Sequence, residues 1–363
     1  MSAATPRSAP RSPSGTAPRP LRRLRRALGR AAPAVLAALL VAARPSSGAA
    51  QAAVAVGGGR LLVVTSEVSH DVTFVSLPEH RVVARVPVGE RPRGVQASPD
   101  GRRVYVALSD AVATRQTGRD VVAVLDVATR RVIARYPAGT DPEQFAVSPD
   151  GRRLYAANED AGLASVVDVG TGKVVAELVV GIEPEGVAIS PNGRWVYVTA
   201  ETSNTVSVID TRADRVVASF LVDARPRAVA FSPDGRRAYV TAELGGTVSV
   251  VDVARHAVTA TIPLDEEGEA KPVGVAVSPD GRRVYVANGH LNSVSVVDAR
   301  ANRVIAQVPT GRRPWGLTLS PDGRRLYTAN GLSNDVTVID TGTLKPVATV
   351  AVPGRPWGVA IVP

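Results

Sequence analysis

A nine-residue phrase recurs along the chain and constrains the fold more than any other feature. Ser98-Pro99-Asp100-Gly101-Arg102-Arg103-Val104-Tyr105-Val106 returns, with small variations, at Ser148, Ser190, Ser232, Ser278 and Ser320. The steps between copies are 50, 42, 42, 46 and 42 residues. A period near forty, with several short strands in each unit, is the signature of a β-propeller. Within residues 183–222 the unit reads as four strands: Gly186 to Ile189, Trp195 to Thr199, Val206 to Ile209 and Val216 to Leu221. Valine, isoleucine and threonine at these positions suit a pleated, buried sheet. Between the first two strands, Ser190-Pro191-Asn192-Gly193 is a tight turn. Proline presets its φ, and glycine takes the positive φ at the exit.

Each strand type occurs seven times. The third begins near Val72, Val122, Ala164, Val206, Val248, Val294 and Val336. The repeat opens on a second-type strand, Leu61 to Ser66, and closes on a first-type strand, Gly358 to Val362. The expected fold is therefore an all-β, seven-bladed propeller of four-stranded antiparallel blades. Its C-terminal strand completes the N-terminal blade, which leaves only short, protected edges. The long steps mark insertions near Asp110 to Arg119 and Asp265 to Ala270. Both fall on the face that carries the second-to-third and fourth-to-first loops, here called the top, and loops are where such scaffolds carry function.

Residues 1–52 are a different kind of sequence. The first thirty are rich in proline, serine and arginine without an acid, and an apolar run, Ala31 to Ala43, follows. Small residues then lead to Ala50-Gln51-Ala52. This is the layout of a signal peptide cleaved between Ser47 and Ala53, with a run too short for an ordinary membrane span. Residues 53–363 form the propeller domain, exported to the periplasm or secreted. The formal charge of +10 is mostly leader: residues 1–50 hold nine Arg and no acid, leaving 34 bases against 33 acids. The basic balance is thus no argument for nucleic-acid binding. The absence of cysteine excludes disulfides, thiolate metal sites, a cysteine nucleophile and covalent c-type haem attachment.

The repeat aligns the top face. Approaching the innermost strand, the seven units read Arg91-Pro92-Arg93, Asp141-Pro142-Glu143, Glu183-Pro184-Glu185, Arg225-Pro226-Arg227, Lys271-Pro272-Val273, Arg313-Pro314-Trp315 and Arg355-Pro356-Trp357. The second-to-third loops start at Glu67, Ser109, Glu159, Glu201, Glu243, Gly289 and Gly331. Blade-specific chemistry at aligned positions points to a recognition surface made of Arg93, Glu143, Glu185, Arg227, Lys271, Trp315, Trp357, Glu67, Glu159, Glu201 and Glu243, because charge steers partners and Trp and Arg anchor them. The competing account is a set of structural ion pairs between neighbouring blades. Glu143 and Glu185 are also considered as an acid–base pair.

Other candidates give way to simpler readings. His80 and His256 fall in outer turns and are expected to be exposed, while His70 and His290 lie in top loops without a third metal ligand. Asp126, Asp168, Asp210, Asp252, Asp298 and Asp340 recur at one turn, where Asx bonding accounts for them, and Ser76 takes that place in blade one. Gly170-Thr171-Gly172-Lys173 sits in the same turn and lacks the spacing of a phosphate loop.

Tyr197-Val198-Thr199-Ala200 with Val206-Ser207-Val208-Ile209-Asp210 resembles the YVTN-type propeller repeats. Asp141 to Phe145, Glu183 to Gly186, Glu243 to Val248, Asn330 to Val336 and Pro356 to Val359 are similar, blade by blade, to an exported propeller family associated with pyrroloquinoline-quinone-dependent alcohol catabolism. Arg313-Pro314-Trp315-Gly316 departs from that family's pattern. The resemblance implies a non-enzymatic, monomeric periplasmic accessory without a cofactor, in the company of a quinoprotein dehydrogenase or a cytochrome c. The alternatives are a propeller enzyme or cofactor protein, lactonase-like or haem d1-like, and a cell-surface interaction propeller. For haem, His70 and His290 are the top-loop candidates as axial ligand.

Overall fold

The computed structural model describes residues 60–110 and 119–363, which fall within one compact unit, Val54–Pro363. The leader, its cleavage region and most of the insertion after Asp110 lie outside the described residues. Seven four-stranded antiparallel sheets follow one another along the chain, as the repeat requires. Blade four shows the plan: β12 (Pro184–Ile189), β13 (Trp195–Ala200), β14 (Thr205–Asp210) and β15 (Arg215–Leu221) lie side by side in that order. Blade one is assembled from both ends of the repeat. Its innermost strand is β28 (Pro356–Val362), followed by β1 (Leu61–Ser66), β2 (Asp71–Ser76) and β3 (Arg81–Pro87).

Burial explains the strand compositions. The second and third strands of blade four are buried almost throughout, because blades pack on both of their faces. Its outer strand alternates exposed and half-buried positions along its whole length. The core is therefore a set of layers between blades. One holds Tyr197, Val206 and Val208 of blade four against Val240 and Val251 of blade five. Near the centre the blades crowd together. A Cβ on Gly186 would strike the carbonyl of Arg227 in blade five, and one on Gly358 would strike that of Arg93 in blade two. Only glycine permits that approach.

The six Ser-Pro-Asp/Asn-Gly turns form as expected. Ser190 Oγ contacts Asn192 Oδ1 at 2.8 Å and accepts the Trp195 amide at 2.9 Å, and Gly193 has φ +70°. The recurrent aspartates make Asx turns: Asp168 Oδ1 accepts the amide and the hydroxyl of Thr171, both at 2.9 Å.

The histidines of the outer turns correct the expectation of exposure. His80 and His256 are half-buried, because each folds back onto the tyrosine of the preceding blade. His256 Nδ1 lies 2.7 Å from the Tyr197 hydroxyl, and its ring meets Trp195 edge-on at 4.8 Å. His80 meets Tyr327 edge-on at 6.0 Å. Among the described residues no helix is long and apolar enough to cross a membrane.

Candidate functional site

Two sequence positions that the repeat aligns are joined by the backbone. The residue before each approach proline adopts a left-handed conformation, with φ from +39° at Arg91 to +60° at Arg355. Its carbonyl accepts the amide that opens the second-to-third loop of the same blade. Glu201 N donates to Glu183 O at 2.8 Å, Glu243 N to Arg225 O at 2.8 Å, and Glu67 N to Arg355 O at 3.0 Å. Non-glycine residues enter this region at a cost, so a ring of them marks a place where surrounding structure over-determines the backbone. The result brings approach residues and loop acids into contact at the top of the channel.

A second device fixes the depth of this ring. The Thr199 hydroxyl accepts the Gly186 amide at 2.8 Å and donates to Arg227 O, the ring carbonyl of the next blade, at 3.1 Å. Thr65 does the same for Gly358 N at 2.9 Å and Arg93 O at 2.7 Å, and Thr241 for Ala228 N at 3.0 Å and Val273 O at 2.7 Å.

The charged side chains form two groups. In blades one to three, Arg93 pairs with Glu143 and lies 3.3 Å from Glu67, while Arg91 reaches Asp141 at 3.4 Å. In blades four and five, Arg227 pairs with Glu201 and lies 2.6 Å from Glu185, and Arg225 reaches Glu201 at 2.7 Å and Glu243 at 3.4 Å. Arg313 of blade seven spans to Glu243 at 3.2 Å. These are not rim groups: Glu143, Glu185, Glu201 and Arg227 are only 1%, 4%, 4% and 8% exposed. Charges this deep persist only when paired.

The Trp pair is equally integrated. Trp315 and Trp357 stack with ring centres 6.2 Å apart, and Trp357 is buried. The guanidinium of Arg313 lies over Trp315 at 4.4 Å, with that of Arg227 at 5.8 Å, and Arg93 lies 5.9 Å from Trp357.

The chemistry of the second group differs from a simple ion pair. Glu185 and Glu201, both of blade four, hold their carboxyl groups against the same guanidinium, that of Arg227. Burial pushes Glu185 well above the usual carboxylate range, against the pull of Arg227. Burial also raises Glu201, but the neighbouring Glu185 carboxyl, together with Arg227 and Arg225, holds it below that range. The two neighbouring carboxyls are thus shifted in opposite directions beside one arginine. Two carboxyls pushed apart in this way are a potential acid and base.

Most of the residues singled out by sequence come together here, with one exception. Lys271 turns to its own insertion, with Nζ 3.2 Å from Gly268 O. Glu159 opens a short 3-10 turn, Glu159–Ala161, beside Asp141 and Glu143. The pairing of Glu143 with Glu185 as acid and base is corrected: Glu143 is engaged by Arg93, and the partner of Glu185 is Glu201. Arg91, Arg225 and Arg313 were absent from the sequence selection, although each opens one of the aligned triplets. Their side chains reach acids of the ring, Arg91 to Asp141, Arg225 to Glu201 and Arg313 to Glu243.

Metal and haem can be tested on these residues. Asp141, Glu143 and Glu159 offer carboxylate oxygens within 4.8 Å of one another. Arg93 and Arg91 already occupy that charge, so the cluster does not fit a cation. Haem finds no axial ligand at the ring. His290 Nδ1 faces the Glu269 carboxylate at 3.0 Å, and His70 is exposed. The only methionine is Met1, outside the described residues, and six of the seven tyrosines pack between blades while Tyr136 donates to Val169 O at 3.1 Å.

Comparison with known proteins agrees with the architecture. A family profile described as lactonase, 7-bladed beta-propeller, matches residues 216–360, and one described as cytochrome D1 heme domain matches residues 108–230. No curated protein matches. Among solved structures, the chain is similar to Kuenenia stuttgartiensis hydrazine synthase, at 27% identity and TM-score 0.70, over 77% of this chain and 92% of that one. It is similar to a candidate 6-phosphogluconolactonase of Bacteroides uniformis at 20% identity and TM-score 0.71, over 84% and 99%. A third likeness is the dihydro-heme d1 dehydrogenase NirN, at 19% identity and TM-score 0.62, over 82% and 74%. These findings overturn the expectation of a non-enzymatic accessory: the profiles that match are those of an enzyme and of a haem domain. They provide no link to the quinoprotein-associated family.

Proposed function

We propose that the chain is a propeller hydrolase of lactonase type, opening a small, oxygen-rich ring ester at the top of the channel. The observation that carries this reading is the pair of buried carboxyls, Glu185 and Glu201, held on the one guanidinium of Arg227. The lactonase profile matches residues 216–360, which hold Arg227, Glu243, Trp315 and Trp357 but not Glu185 or Glu201. Haem is the weaker alternative, since the ring lacks an axial ligand.

The arrangement suits ester hydrolysis. Anionic Glu201 accepts a proton from water as its oxygen adds to the ester carbonyl. Arg227 faces the developing oxyanion. Neutral Glu185 then gives its proton to the ring oxygen as the acyl–oxygen bond breaks, and the product is a hydroxy acid. Transfer of the proton from Glu201 to Glu185 restores the starting state. The flat faces of Trp315 and Trp357 suit the apolar face of a ring, and Trp315 is the half-buried member of the stack.

The test is acid release by the purified protein from a panel of sugar-derived and simple lactones, followed at constant pH. Glu185→Gln and Glu201→Gln keep the shape and remove the proton chemistry. Each should lower turnover by about 10²–10⁴-fold, with little change in melting temperature for Glu185→Gln and a lower one for Glu201→Gln, which unpairs Arg227 and Arg225. Turnover on no lactone above the solvent rate, or undiminished turnover in both variants, would refute the reading.

A further inference from the structure

We infer that the face opposite this site, built from the first-to-second and third-to-fourth turns, docks on an anionic lipid bilayer. The evidence is a segregation of charge that the overall composition conceals. In each of blades two to seven, the first-to-second turn carries one more base than acid. Arg102, Arg152, Arg236, Arg282 and Arg324 all stand at the same place in that turn, and all are exposed. Arg282 lies 3.9 Å from Asp280, and the other four have no side-chain ion pair within 4.0 Å.

The aspartates of these turns are exposed too, but each is bonded to its own turn. Asp100 Oδ1 meets the Ser98 hydroxyl at 2.5 Å and accepts the Arg102 amide at 3.1 Å, and the same two bonds recur at Asp234 and Asp322. Each carboxylate is thus tied to its own turn by these two bonds. On the opposite face the exposed loops are acidic, as at Asp160, Glu183, Glu266 and Glu267. Each face therefore carries an excess of one sign, with exposed bases such as Arg225, Arg312 and Arg355 also present on the acidic one.

Shape selects the partner. The basic turns have the same length in all six blades, and the insertions near Asp110 and Asp265 both lie on the acidic face. Five arginines at one turn position fit a plane of negative charge, with Arg194 of blade four engaged by Asp210 instead, whereas a nucleic-acid duplex would engage one side of the set. Acidic loops on the far face would repel a second anionic surface, so docking would leave the Glu185–Glu201 pair facing away from the bilayer.

The test uses the full chain and sedimentation with vesicles rich in phosphatidylglycerol, with phosphatidylcholine vesicles as the neutral control. At roughly 1 kcal/mol per arginine near a charged bilayer, the triple variant Arg102→Gln, Arg236→Gln, Arg324→Gln should partition about a hundred-fold more weakly at low salt. Arg312→Gln with Arg355→Gln, on the acidic face, should leave partition unchanged. If the triple variant melts early, Arg102→Gln alone should still weaken partition about five-fold. Equal partition of the parent and the triple variant would assign any binding to the arginine-rich leader and overturn the proposal. So would equal binding to neutral vesicles, or retention by a DNA duplex without retention by vesicles.

Discussion

At the scale of single residues, the protein holds ionisable groups in states that their free side chains would not adopt, and pH exposes them. Glu185 has its folded-state pKa raised above the unfolded value. The stability it contributes is complete below the ordinary carboxyl range and is lost as pH rises through the raised value. The melting temperature of the parent should therefore fall across that interval, while that of Glu185→Gln stays level there. A parallel fall in both proteins would remove Glu185 as the cause. Lactone turnover should disappear over the same interval, because the general acid is then ionised. His256 works in the opposite sense. Burial lowers its pKa below 6.5, so its contribution is present above that value and is lost as pH falls through the depressed pKa. A proton titration by NMR should find His256 below the ordinary histidine value, and a normal value would mean that its ring is in water. Neither behaviour was legible in the sequence. The separation of Glu185 and Glu201 becomes meaningful only once Pro184 is registered against Ala200 across β12 and β13, and the partner of His256 belongs to another blade.

At the scale of the element, the turns and strands were the readable part. A Ser-Pro-Asp-Gly turn is decided by its own four residues, so its recurrence displays the blade period directly. Gly193 at φ +70° is such a decision. Gly193→Ala should cost about 1–2 kcal/mol, the left-handed penalty for a residue with a Cβ, measurable by urea unfolding with an unchanged slope. A loss near zero would mean that the turn relaxes into another form. The same locality explains an error. Lys271 aligns with the ring residues by sequence, but the insertion before it supplies a carbonyl at Gly268 that captures its ammonium. An insertion of uncertain path cannot be read for contacts from its length. The outer strands, such as β15, were readable as strands but not in their exposure pattern, which follows from having no blade beyond them.

At the scale of the whole molecule, the closed ring governs stability. β28 pairs with β1 from Leu61↔Val362 to Ser66↔Pro356, and Gly358 N donates to Thr65 Oγ1 at 2.9 Å. Deleting residues 355–363 removes buried Trp357, Val359 and Val362 and leaves blade one without its inner strand. Each such side chain contributes about 1.5–3 kcal/mol, against a typical domain stability of about 5–15 kcal/mol. The truncated chain should unfold at a much lower temperature and self-associate, as light scattering would detect. A monomer melting within a few degrees of the parent would contradict closure as the source of stability. The same closure sets a clock on biosynthesis. The bond between Thr65 and Gly358 joins residues 293 apart in sequence, so at about 5–20 residues per second one half of blade one waits roughly 15–60 s for the other. During that wait β1 presents a bare strand edge to the cell, and the last strand to be made is the one that covers it.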